Sequence, residues 1–264
     1  MVHDVVTEEG SGVWARRRAE TTARVLETAL SVLARDGYEG LTMHALAREL
    51  GYTVGALYRY FPSREALFVA AQGQVLGSLR ASLESGEARL AAASARWGAE
   101  VRSLASLLGL ARGYADFAAA RPAAWHLLAV SVGDPRELVA AEAGGPMVAA
   151  VSGLLGWCAA RVEAATEAGA LTPGSSGGYA GSSLGRAVLL WSTVHGALQL
   201  RKLARFGLPG PRSSADPGGL AGPLVDEAAQ TLLRGFGADP ARVREAARRV
   251  DRVLSGATAE GEGR

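Results

Sequence analysis

The stretch LTMHALARELGYTVGALYRYFPSREALF, Leu41 to Phe68, decides the reading of this chain. Two short apolar-periodic pieces flank Gly51, and Tyr58, Arg59 and Tyr60 follow in a row. Thr42 is placed to cap a helix running through Glu49. Thr53 is placed to cap the next, Val54 to Phe61, and Pro62-Ser63 ends it. Ser63 then caps a longer helix toward Ser85, with Glu65 in its first turn. Leu46, Ala47, Leu50 and Leu57 share the inner side of the first two helices. Ala47 is small where the helices approach, and Gly51 supplies the positive φ that the turn needs. This is helix-turn-helix spacing, whose second helix enters the major groove of DNA. Any corner between two helices also needs a Gly and apolar contacts, so the polar residues must be weighed too.

On the second helix Leu57 and Phe61 fall on the core side. Tyr58, Arg59 and Tyr60 fall at its edge, where phenol hydroxyls and a guanidinium reach phosphates. Gly55 and Ala56 let the backbone come close to base edges, and Arg59 has the geometry to read a guanine. Aromatics that merely pack against neighbouring helices would explain Phe61, but not three polar-tipped residues in succession.

Upstream, residues 1–18 read as a disordered basic arm: a polar start with Gly10 and Gly12, then Arg16 to Arg18. Those arginines suit either a solvated helix start or an arm lying on phosphates or in a minor groove. From Thr21 a helical period begins, with Val25, Ala29 and Leu33 in one row and Leu26 and Leu30 in the next. Asp36-Gly37 stops it, Gly37 suiting a left-handed end position. Downstream, helices are expected near 98–120, 122–130, 146–168, 182–206, 220–236 and 240–254. Pro122, Pro146 and Pro240 stand at first-turn positions and Gly169 at a stop. Residues 207–219 read as a loop and 255–264 as a tail. No stretch alternates with period 2, so the expected fold is all-α.

The chain has 264 residues, 48% of them hydrophobic, enough for a sizeable core. Its net charge is only +2, and Trp14–Ala70 holds eight Arg against six acids, so charge alone does not announce a nucleic-acid binder. A single cysteine, Cys158, excludes an internal disulfide framework and reads as a small buried helix residue. No continuous apolar run of membrane-spanning length and no leader-like N-terminus are read, so the expected setting is cytoplasmic, away from a membrane. No metal-ligand cluster or phosphate-cradling loop stands out, and no cofactor is expected.

The stretch resembles the DNA-binding domain of the tetracycline-repressor (TetR) family. The shared residues are Gly37-Tyr38, Leu41-Thr42, Leu46-Ala47, Leu50-Gly51, Gly55-Ala56-Leu57-Tyr58, Tyr60-Phe61 and Ser63 to Leu67. The resemblance implies that Thr42 and Tyr58 hold phosphates, that His44, Thr53, Val54, Gly55, Ala56, Arg59 and Tyr60 face a double-stranded operator, and that Arg64 reaches its backbone. His44 and Val54 are the candidates for operator choice. Tyr52 is bulkier than the small residue usual after the turn Gly, which would shift the turn.

By the same resemblance residues 19–66 form the DNA-binding domain, 67–237 a helical ligand-binding and dimerisation domain, and 238–264 an extra helix and tail that is either a solvated surface or a cap on the dimer. Trp191 to Gly196 resembles the Trp-x-x-x-His-Gly motif of one C-terminal subfamily. Candidate pocket residues are Tyr114, Phe117, Trp125, His126, Trp157, Trp191 and His195, where apolar area meets a few polar tips. Few acids lie nearby, which fits a neutral, apolar small molecule. A homodimer would use the last two long helices, with apolar stripes including Leu184, Val188, Leu198, Leu224, Ala228 and Leu232. The expected activity is repression relieved by that ligand. Alternatives are a ligand-insensitive regulator or activator of the same fold, and a helical enzyme using His195 or His126 as a base.

Overall fold

The computed structural model describes residues 6–133, 145–174, 178–200 and 221–255. Within them lie ten α-helices, one short 3-10 turn (Tyr179–Gly181) and no strand. The helices are α1 (Val6–Gly40), α2 (Met43–Leu50), α3 (Val54–Tyr58), α4 (Arg64–Ala93), α5 (Ala99–Ala120), α6 (Pro122–Gly133), α7 (Gly145–Glu167), α8 (Ser183–Gln199), α9 (Ala221–Gly235) and α10 (Pro240–Ser255). Helices pack into two units: residues 1–75 with 121–148, and residues 76–120 with 149–264.

In the first unit Val25, Leu26, Ala29, Val32 and Leu33 of α1 are buried, together with Met43, Leu46, Ala47, Leu57 and Phe61. Phe68 is fully buried, and Tyr38 meets it edge-on with centroids 4.8 Å apart. Helix α6 packs against α1. The buried Gln72 of α4 donates to Ser131 Oγ of α6 at 2.8 Å, and Ser131 Oγ donates to the Leu127 carbonyl at 2.7 Å. The unit is therefore not the expected segment 19–66. It also takes in the start of α4 and all of α6, because a three-helix head leaves apolar surface on α1 that α6 covers.

Two local expectations change. Residues 6–18 continue α1 instead of forming a disordered arm. Trp14–Arg24 contains Ala, Arg and Glu, good helix formers, with no proline. At Gly37 the helix breaks, with φ 70° and ψ −173°. Helix α3 ends at Tyr58 rather than Phe61: the N–H groups of Tyr60 and Phe61 both donate to the Leu57 carbonyl, and Pro62 disfavours helix at Phe61.

In the second unit α5 is central, packed by α8, α9 and α10. Gly109 and Gly113 let α4 in: a Cβ there would meet Leu90 at 2.4 Å and Leu83 at 3.0 Å. Helix α10 buries Val243, Ala246, Val250 and Leu254. Arg89 donates to the carbonyls of Val253 and Leu254, Arg242 pairs with Glu100, and Arg112 pairs with Asp251 at 3.2 Å. The extra helix is thus part of the core of this unit, not a solvated accessory.

Helix α7 departs from the membrane reading. It is long and apolar enough to cross a bilayer by length and composition, with mean hydropathy 1.3 over 18 residues. Interspersed Gly, Ser and Ala hide this from a search for unbroken apolar runs. Only 6% of that window is buried, although Ala159, Val162 and Ala165 are buried toward its C-terminal end and Arg161 forms a bidentate pair with Glu87 at 2.7 and 2.9 Å. Cys158 is half-buried, and burial pushes its thiol up to about 11, so it stays protonated.

Candidate nucleic-acid interface

The turn between α2 and α3 is built as its residues dictate. The Thr42 hydroxyl accepts from Ala45 N–H at 3.1 Å, and that of Thr53 from Ala56 N–H at 3.2 Å. Each hydroxyl keeps its own proton to donate outward. Gly51 is left-handed (φ 69°, ψ 31°), and the N–H groups of Gly51 and Tyr52 both return to the Ala47 carbonyl. The bulky Tyr52 leaves this turn regular. Its ring lies half-buried under the Arg24 guanidinium, 5.2 Å from the centroid, and Arg24 also donates to the Leu50 carbonyl at 3.4 Å.

Leu57 is fully buried between α2 and α3, which turns the other residues outward. Thr42, His44, Thr53, Gly55, Tyr58 and Arg59 are exposed, while Val54, Ala56 and Tyr60 are half-buried. Tyr58 keeps 50% of its surface open, large for a tyrosine on a packed helix. Arg18 of α1 stacks on Tyr60, 5.3 Å from its centroid, and donates to the Arg59 carbonyl at 3.3 Å. This bond uses the Arg59 backbone. Six of the ten residues expected to face DNA are thus exposed on α2, α3 and the turns beside them. Arg64 is half-buried, its guanidinium 4.2 Å over the Tyr38 ring and 3.9 Å from Glu65.

Comparison with known proteins bears directly on this geometry. Residues 25–71 match the profile of bacterial regulatory proteins of the tetR family, and residues 107–217 match that of the tetracyclin repressor-like C-terminal domain. The chain belongs to the TetR family. The HTH-type transcriptional repressor KstR of Mycolicibacterium smegmatis is 40% identical over 70 residues, 26% of this chain and 33% of that protein. KstR of Mycobacterium tuberculosis is 35% identical over 80 residues, 30% of this chain and 36% of that one. The chain therefore spans about a third of these relatives' length. A Rhodococcus sp. RHA1 protein of unknown function has 25% identity and TM-score 0.58, covering 81% of this chain and 94% of its own. The fatty acid degradation regulator FadR from Bacillus halodurans shares the fold alone, at 14% identity and TM-score 0.58, covering 81% and 98%. Membership in a family of regulatory proteins sets aside the enzyme built on His195 or His126.

The TetR sensor candidates divide. Tyr114 and His195 are both buried, their hydroxyl and Nδ1 2.9 Å apart, and Gln199 Nε2 lies 3.3 Å from His195 Nε2. Trp191 is 5.4 Å from His195 between ring centroids. Burial holds the Tyr114 hydroxyl well above its ordinary range and His195 below its own, so both are neutral at pH 7. Phe117 is buried in the same unit. Trp125 and His126 belong to the first unit, with α6. Trp157 is half-buried, with the guanidiniums of Arg80 and Arg161 at 5.1 and 4.0 Å from its ring centroid.

A groove of about 460 Å³ opens elsewhere in the second unit. Leu90, Ser94, Trp97, Arg102, Arg161 and Ala164 are among the residues lining it. The expected pocket residues are not among those lining this groove. The groove is made largely by alanines and serines, whose spacing carries no binding signature. On the expected dimer stripes Leu184 is exposed, and Val188, Leu224, Ala228 and Leu232 are half-buried. Leu198 is only 2% exposed and packs inside its own unit, so it drops out of that face.

Proposed function

We propose that this TetR-family protein is a transcriptional repressor that binds a near-palindromic operator as a homodimer and is released by a small apolar effector. The observation that carries the DNA reading is the outward side of α2 and α3: two threonine hydroxyls, Tyr58, Arg59 and Tyr60 around a backbone kept low by Gly55 and Ala56. In this reading Thr42 and Tyr58 hold phosphates, Arg59 reads a guanine edge, and His44 and Val54 set operator choice, Val54 by apolar contact with a thymine methyl. Two heads would sit roughly 34–36 Å apart, one turn of DNA. The half-open stripes of α8 and α9 support self-association. For the effector, the second unit offers the groove beside Trp97 and the neutral Tyr114–His195 pair. Release requires the effector to bind one conformation better than the other, and α4, which contributes to both units, is the element to carry the change.

The test is binding of the purified protein to its own upstream DNA across a salt series. Specific binding should weaken steeply as salt rises. Tyr58→Phe and Arg59→Ala should each weaken it, Arg59→Ala by about tenfold or more. Binding that ignores sequence and both substitutions sinks the reading.

A further inference from the structure

The unexpected helical start of α1 has a face of its own. Residues 12–20 are all exposed, and none of them belongs to the buried core. Yet this stretch carries Trp14, 74% exposed, the most open of the large apolar side chains among the described residues. A wide-open indole outside the core marks a surface that meets something else.

Two arginines fix which way that face looks. Arg18 stacks on Tyr60 and bonds the Arg59 carbonyl, at the end of α3. Arg24 bonds the Leu50 carbonyl and covers Tyr52, at the turn before α3. One face of α1 therefore borders both ends of the recognition helix. Helical spacing puts Trp14 one turn before Arg18 on that face, and Arg17 two turns before Arg24. Arg17 forms no hydrogen bond or ion pair among the described residues. Arg16 falls on the opposite side. The face reads Trp14, Arg17, Arg18, Thr21 and Arg24, with one carboxylate, Glu20, at its edge one turn before Arg24, so guanidiniums outnumber acids on it.

We propose that the N-terminal extension of α1 is a second DNA-contacting element, in which Arg17 holds a phosphate and Trp14 enters the groove flanking the operator core. The inference rests on the DNA reading above and adds a surface to it. Charge decides the partner: a row of guanidiniums continuous with the recognition helix suits a polyanion, and an apolar ring among them suits the floor of a groove or an unstacked base step. A second copy of the chain would have to bury these cations against its own.

The experiment compares two duplexes with the full-length protein: the operator core alone, and the core with ten further base pairs on each side. Trp14→Ala and Arg17→Ala should each bind the long duplex about tenfold more weakly and shorten the protected footprint. Arg17→Ala should also lower the salt slope by about one. Arg16→Ala, which removes the same charge from the opposite row, should match the parent protein. On the core duplex all four should bind alike. Equal binding of all four to the long duplex overturns the proposal, as does a Trp14→Ala variant that changes oligomeric mass and leaves the footprint intact. Arg59→Ala serves as the separate control. If it binds both duplexes like the parent, the recognition reading itself fails and takes this one with it.

Discussion

The reading head and the second unit use polar residues in opposite ways. Around α2 and α3, polar side chains point out and the interior is Leu46, Ala47, Leu57 and Phe61, the buried polar group of this unit being Gln72 at the distant α4–α6 contact. The head's ion pair, Arg35 with Asp36 and Glu49, lies at the surface. In the second unit polar groups hold helices together from within. Tyr114 meets His195, Arg161 meets Glu87, and the buried Arg186 donates to the carbonyls of Ala180 and Thr172 at 2.7 and 2.8 Å. The head's hydrophilic residues are therefore available to a partner. Those of the second unit are largely committed to its own architecture, so polarity there is a poor guide to a binding site.

Substitutions can break this contrast or sharpen it. The largest effect is expected in the head's interior: Leu57→Ala should cost about 2–5 kcal/mol in chemical denaturation and abolish operator binding, because it hollows out the contact between α2 and α3. Next comes the second unit: Arg161→Met should cost about 1–3 kcal/mol by leaving the half-buried Glu87 without its bidentate partner. The matching change in the head, Arg35→Met, should leave the unfolding midpoint where it was. If both behave alike, the contrast is wrong. Thr53→Ala should cost about 1 kcal/mol through the lost cap on α3, and should weaken operator binding beyond that loss if the hydroxyl also meets a phosphate.

The smallest effect is a dependence on pH. His195 titrates below its ordinary value in the folded protein because it is desolvated. The unfolded chain therefore takes up the proton first. Stability should be intact above about pH 6.5 and fall as the pH drops through the folded value. His195→Gln should flatten that part of the curve in a denaturation series. An unchanged curve would mean that burial does not shift this imidazole.

The sequence was most legible where function and local structure coincide. Thr42, Gly51, Thr53 and Leu57 each act within a few residues of themselves, as caps, turn and plug, so spacing alone placed them. The candidate pocket was not legible. Phe117 is buried and Trp157 is half-buried beside Arg80 and Arg161, and an aromatic at helical spacing looks the same in a core as in a pocket wall. The pairing of Arg161 with Glu87 across 74 residues, or of Arg112 with Asp251 across 139, has no local signal at all. The helical character of residues 6–18 was obscured by Gly10 and Gly12, which read as loop. The role of α10 was hidden because its apolar row of Val243, Ala246, Val250 and Leu254 is diluted by arginines.

Helix α6 carries a consequence for anyone who would move this head to another protein. The unit that presents α3 is assembled from two pieces of chain, with all of α5 inserted between them. Cutting after residue 75 would strip α6 from α1 and leave Gln72 without Ser131. A chimera that exchanges operator specificity should therefore transplant both pieces, or graft only the outward residues of α2 and α3. The discontinuity also gives the head a folding order. Its α1–α6 contacts must wait for distant chain to return, and closing so long a loop costs entropy that the local α2–α3 contacts do not.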